Sequence, residues 1–209
     1  MGTSLSLEDG LVMVKKSCVF IALVIVFCCV FLLNGCDTTI FLPKTNITIG
    51  TWVDDIYTNQ WANITFTLPS DCDLIKINAF EFSGQIQDFL FVNIDQSLVI
   101  SLTYVILSNK TQKEQTAEDY LNTVKQQLAA SANKNYIFTD DFENVIIAGE
   151  KYVVMPSEFS FKENPTETIN YQDGYVRKFD AAFIVLIITY TDDAKESADS
   201  FLSSITQIN

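Results

Sequence analysis

Phe183-Ile184-Val185-Leu186-Ile187-Ile188-Thr189-Tyr190 (FIVLIITY) is a continuous apolar run, with Asp180 before it and Asp192-Asp193 after it. It is too short to span a bilayer. A run of this length with no alternation fits a strand covered on both faces. The pattern therefore predicts a central strand over Ala182 to Thr191. Ile169 to Phe179 pairs with it as a hairpin. A helix follows, capped by Asp192 or Asp193, with Ala194, Ala198, Phe201, Leu202 and Ile205 on one face. An antiparallel β-sheet flanked by helices, an α+β fold, buries these elements most economically.

Other segments extend the sheet toward the N-terminus. Asn144 to Ala148 and Lys151 to Phe161 predict a hairpin around Gly149-Glu150, and Tyr136 to Thr139 predicts a short strand. Lys162 to Thr168, with Pro165, predicts a loop. Thr116-Ala117-Glu118-Asp119 opens a helix in the manner of a capping box, with Leu121, Val124 and Leu128 on its apolar face. Asn109 to Gln115 is polar and predicts a loop. Asp88 to Asn93 and Gln96 to Ser108 predict two strands turning at Ile94-Asp95, the second apolar on both faces. Asp71 to Ser83 fits short strands or a helical turn. Thr51 to Tyr57 and Trp61 to Leu68 predict paired strands around Thr58-Asn59-Gln60, the second alternating through Ile64, Phe66 and Leu68.

Ser17 to Cys36, SCVFIALVIVFCCVFLLNGC, is uncharged and follows Lys15-Lys16. A basic segment, an apolar run and a small residue at its exit make a secretory signal. Met13 stands where such a signal would start, so translation is expected to begin there. Leu33, Gly35 and Cys36 resemble the lipobox of bacterial lipoproteins, a resemblance that implies processing at Leu33 and Gly35 and lipidation of Cys36. The alternative is an uncleaved membrane helix. The expected division is residues 1–35 as signal peptide, 36–49 as lipidated tether and 50–209 as one globular domain. The expected location is the outer face of a bacterial cell membrane, held there by the lipid on Cys36.

The chain carries a formal net charge of −13. Such an excess repels nucleic-acid phosphates, so nucleic acid is not an expected partner. Of five cysteines, Cys18, Cys28 and Cys29 lie in the signal and Cys36 at its end, which leaves Cys72 alone and no internal disulfide. Cys72 reads as a small apolar residue.

Gly50, Tyr57-Thr58-Asn59 and the alternating Ile64, Phe66 strand ending at Pro69 resemble the opening of PsbP/Mog1-like domains in Firmicutes lipoproteins. Asp119-Tyr120-Leu121, Gly149 and Tyr175-Val176-Arg177-Lys178 match further motifs of that family, while Cys72 replaces its Trp. The resemblance implies an α/β/α sandwich used for binding and scaffolding, with no shared catalytic site. Fold alone does not fix function.

The chain has no histidine, and so lacks the commonest general base and metal ligand. No phosphate loop, nucleophile elbow or calcium loop is present, and no cofactor or metal is expected. The acidic pairs Asp54-Asp55, Asp71 with Asp73, Asp140-Asp141 and Asp192-Asp193 read as solvated turns and caps. Trp52, Tyr57, Trp61, Phe80 and Phe82 are the candidate binding patch, with core packing as the alternative. The expectation is a monomeric, non-catalytic binding or scaffold module with a protein, glycan or small-ligand partner. A carrier of a small apolar ligand is the alternative, and a carboxylate-based hydrolase a third reading.

Overall fold

The structure, a computed structural model, describes residues 47–68, 72–75, 80–82, 84–93, 95–163 and 169–208, the side chains of 72–75 and 80–82 excepted. The signal, the lipidation position and most of the tether lie outside these residues.

The apolar run Phe183 to Tyr190 lies in a central strand. We number the elements β1 (Thr51–Val53), β2 (Ile56–Asn59), β3 (Ile64–Thr67), β4 (Cys72–Ile75), β5 (Phe80–Phe82), β6 (Gln85–Asn93), β7 (Leu98–Ile106), α1 (Lys110–Glu114), α2 (Ala117–Ala129), β8 (Lys134–Phe138), β9 (Glu143–Ile147), β10 (Glu150–Phe161), β11 (Asn170–Phe179), β12 (Ala182–Thr191) and α3 (Lys195–Ser204). The main sheet is nine-stranded, with the path β4-β6-β7-β12-β11-β10-β8; β5 pairs with β6, and β9 with β10. Every pairing is antiparallel. β12 lies between β7 and β11, and all of Ala182 to Tyr190 is buried. Both of its faces are covered, so neither selects polar residues.

One face of the sheet carries α2. Its Thr116 hydroxyl accepts from the Asp119 N–H at 3.1 Å, and the Asp119 carboxylate accepts from the Thr116 N–H at 2.9 Å. The first turn's open donors are satisfied in this way. Tyr120, Leu121, Val124 and Leu128 are buried, and Tyr120 packs on the Phe183 ring of β12. The opposite face carries α3 together with a separate three-stranded sheet, β1-β2-β3. Phe201 of α3 meets Phe91 of β6 and Phe66 of β3. Backbone bonds between Thr65 and Thr206 tie the small sheet to the chain beyond α3. The α+β fold with flanking helices is present, but one outer layer is part sheet.

Four local expectations change. Thr51 to Tyr57 is two strands, because the chain turns at Asp54, whose φ is +53°. Asn109 to Gln115 is not a loop: Asn109 and Gln112 form a capping box that opens α1. This helix buries none of its residues, so it has no apolar stripe to betray it. Asp192 and Asp193 do not cap α3; they sit inside a 3-10 turn that leads into it. In the ambiguous Asp71 to Ser83 segment, the described backbone forms strands β4 and β5, both paired to β6.

Proline in a central-looking strand needs a reason, since it cannot donate to the ladder. Pro156 lies where the outer edge of β10 changes partner, β9 pairing up to Val154 and β8 starting at Ser157. The β9–β10 turn uses Gly149 at φ +71°, a conformation that glycine adopts without strain.

Candidate functional site

The small sheet meets the main sheet around one buried carboxyl group. β6 has a register shift between Gln87 and Phe89. The extra residue is Asp88, and the bulge turns its side chain into the interlayer space. Tyr57 Oη donates to Asp88 Oδ2 at 2.5 Å, and Tyr104 Oη donates to the same oxygen at 2.6 Å. Asn59 Nδ2 donates to it at 3.0 Å, and the Gly50 N–H reaches Oδ1 at 3.0 Å. Asn59 also accepts from the Ala62 N–H at 2.8 Å, which shapes the β2–β3 turn. Burial, then the neighbouring Asp88, pushes the Tyr57 hydroxyl far above the ordinary phenol range. Tyr104 is raised too, by burial and then by Tyr57 and Asp88. Both phenols therefore remain hydrogen-bond donors.

This arrangement accounts physically for Gly50, Tyr57 and Asn59, the residues of the opening motif. A Cβ on Gly50 would lie 2.2 Å from the Tyr57 ring. The glycine is needed for close approach. Asp88 and Tyr104 escape sequence reasoning. The available signal is an acid inside a strand whose other inward residues are Phe89 and Phe91.

The candidate patch divides. Tyr57 has 0% of its surface exposed, so it serves the interior. Trp52 is half-buried against Tyr57, Phe66 and Phe89 at ring separations of 5.1, 5.7 and 6.1 Å. Trp61 is also half-buried, against Tyr104 and Phe179, each at 5.1 Å. The two tryptophans thus pack at separate places, and the rings of Tyr57, Phe66, Phe89, Phe91 and Phe201 pack on one another. The side chains of Phe80, Phe82 and Cys72 lie outside the described residues, as do Leu33, Gly35 and Cys36.

Arg177 of β11 is buried on the same side of the sheet. It donates to the Ala62 carbonyl at 3.0 Å and pairs with Glu150 at 3.1 Å. Lys178 points away and donates to the carbonyls of Lys113 and Gln115, closing the end of α1. The last two residues of the Tyr-Val-Arg-Lys motif therefore fasten two different loops to one strand.

On the α2 side, the main sheet carries another buried charged group. Lys134 of β8 has 8% of its surface exposed. Its Nζ lies 3.8 Å from the centre of the Phe159 ring, with Tyr136 and Phe161 at 5.4 and 5.8 Å. It donates to Tyr136 Oη at 3.2 Å. Tyr136 donates on to Gln172 Oε1, and Gln172 to Thr189 Oγ1. Desolvation pushes the Lys134 amine down to about 7, while the ring faces work in the opposite direction by favouring the cation.

Among the described residues, no three histidine, cysteine or acidic side chains are grouped to hold a metal, and no helix is long and apolar enough to cross a membrane. Asp54, Asp55, Asp140, Asp141, Asp192 and Asp193 are exposed.

No family model and no curated protein matches the chain. Among solved structures, the cyanobacterial PsbP of Synechocystis sp. PCC 6803 is similar at TM-score 0.50 and 15% identity, over 84% of this chain and 99% of that one. LpqN of Mycobacterium tuberculosis, involved in cell envelope biogenesis, aligns at TM-score 0.40 and 16% identity over 70% of this chain and 83% of its own. The arrangement of strands and helices in this chain is a PsbP-like α+β fold.

Proposed function

We propose that this chain is a non-catalytic binding or scaffold module, held at the outer face of a bacterial cell membrane by a lipid on Cys36. The observation that supports the non-catalytic part is the use made of Asp88. This carboxyl group is enclosed by donors from four residues belonging to both sheets. It joins two layers, and the donors around it are the protein's own. The aromatic interior beside it is packed, which favours a rigid platform over a carrier of an apolar ligand. The anchor rests on the sequence: Lys15-Lys16, the apolar run and Leu33-Asn34-Gly35-Cys36. Two or more acyl chains hold a protein stably where one binds reversibly.

Metabolic labelling with palmitate tests the anchor. Wild type should take up label, partition into detergent and begin at Cys36, while Cys36→Ala should lose the label and keep its signal. Wild-type protein that retains the residues before Cys36 and stays unlabelled would replace the lipid with a membrane helix. Chemical crosslinking on intact cells tests the module. One partner recovered at constant stoichiometry is expected. Recovery of a covalent substrate adduct instead would overturn the non-catalytic reading.

A further inference from the structure

Lys134 presents a problem of coordination. An ammonium has three donors, and Tyr136 Oη, a neutral oxygen, is the acceptor it has among the described residues. No described carboxylate lies within ion-pair distance of it. A buried charge without a counterion is expensive, and the π faces of three rings meet only part of that cost. The surroundings are polar as well as aromatic. By sheet register Lys134, Tyr136, Phe159, Ser157, Gln172 and Thr189 share one face. Ser157, Gln172 and Thr189 are buried there, although the rest of that face is largely apolar beneath α2. The strand that carries Lys134 ends the path of the main sheet. Tyr136 and Phe161 are only half-buried, so the cluster can be approached from the sheet's edge.

We propose that the Lys134 cluster is a binding site for a small carboxylic acid with an aromatic or apolar body, the Lys134 ammonium being its counterion. A carboxylate brings two acceptor oxygens and one negative charge, matching an ammonium with two donors to spare. The half-buried Tyr136 and Phe161 rings would pack against the body of the ligand. Phosphate fits less well: a dianion wants more than one cation, and a chain of net charge −13 repels it. The site goes beyond the reading above and is tested apart from it, since the assay needs neither membrane nor partner protein.

The experiment is thermal denaturation of the wild-type chain in benzoate, acetate, inorganic phosphate or benzylamine at matched ionic strength. A ligand that binds only the folded state raises the midpoint, the more so the higher its concentration relative to its Kd. Benzoate should raise the midpoint by several degrees, acetate by less, and phosphate and benzylamine not at all. Lys134→Met should weaken benzoate binding at least about tenfold, as expected when one partner of a desolvated charge pair is truncated. Lys195→Met removes an exposed lysine from α3, on the opposite face of the sheet, and should still bind benzoate as wild type does. No shift with benzoate, or an equal shift in wild type and Lys134→Met, overturns the site. A larger shift with phosphate than with benzoate overturns the assigned ligand class.

Discussion

Asp88 and Lys134 are buried on opposite faces of the main sheet, and the two faces treat them in opposite ways. On the face shared with β1-β2-β3, Asp88 receives hydrogen bonds from Tyr57, Tyr104, Asn59 and the Gly50 backbone. On the α2 face, Lys134 has three rings and one phenol oxygen. A carboxyl group with all its donors in place stabilises the join between layers, because each donor would otherwise lose water without replacement. An ammonium with donors left over does the reverse: it costs stability in the empty protein and is available to an anion. The difference separates a group retained for architecture from one retained for binding.

The sharpest way to break this contrast is to remove the better-coordinated partner. Asp88→Ala leaves two phenols, an amide and a backbone N–H facing an emptied space, and should cost about 4 kcal/mol. Chemical denaturation would show it as a lower midpoint with an unchanged slope. A loss under about 1 kcal/mol would mean that water replaces the carboxyl group and that the join does not depend on it. Gly50→Ala attacks the same join sterically. Its Cβ would fall within 2.2 to 2.5 Å of three Tyr57 atoms, and Tyr57 is held by Asp88 and by stacking on Phe66. A rigid clash of that kind should cost about 2–3 kcal/mol. A neutral outcome would show that the segment before β1 shifts freely.

The contrast between faces also marks where sequence reading succeeds. FIVLIITY is legible because burial on both faces leaves an unbroken apolar run, the Leu121, Val124, Leu128 stripe because burial on one helix face leaves a period, and the Thr116 box because capping needs particular side chains at a fixed spacing. Gly50, Tyr57 and Asn59 stand out through family resemblance, yet their reason is tertiary. They converge on Asp88, which only a bulge in β6 turns inward. Its one local mark, an acid beside the apolar residues of a strand, does not single it out, because an acid in a strand ordinarily points to solvent. Lys134 is hidden for the same reason. Within Lys134-Asn135-Tyr136-Ile137-Phe138, the exposed side chains are Asn135 and Ile137. The lysine thus takes the inward phase and the isoleucine the outward one, the opposite of their hydropathies. The turn at Asp54 and the short α1 depend on backbone conformation and capping, and neither buries an apolar stripe.

The smallest predicted effect has the opposite sign from the other two and decides the comparison. Lys134→Met should make the ligand-free protein more stable, because an apolar chain of similar length replaces an under-coordinated buried charge. A gain of about 2 kcal/mol at pH 6 is the expected order, since exchanging buried ions for apolar side chains gives about 1–4 kcal/mol. The pH dependence identifies the cause. In the unfolded chain the lysine titrates near ~10.4, and in the folded chain near 7. Between these values the unfolded state holds a proton that the folded state does not, so the Lys134 contribution to wild-type stability rises with pH across that window. Below about 7 both states are protonated, and the full cost of the buried charge is present. The advantage of Lys134→Met should therefore be largest at pH 6 and shrink steadily toward pH 10. Urea denaturation of both proteins at pH 6, 8 and 10 measures it. If the variant is instead less stable at pH 6, by an amount near that of Asp88→Ala, then Lys134 has a counterion of its own within the fold and the two faces are built alike. If the gain appears but does not change with pH, better packing by methionine explains it and the buried charge does not.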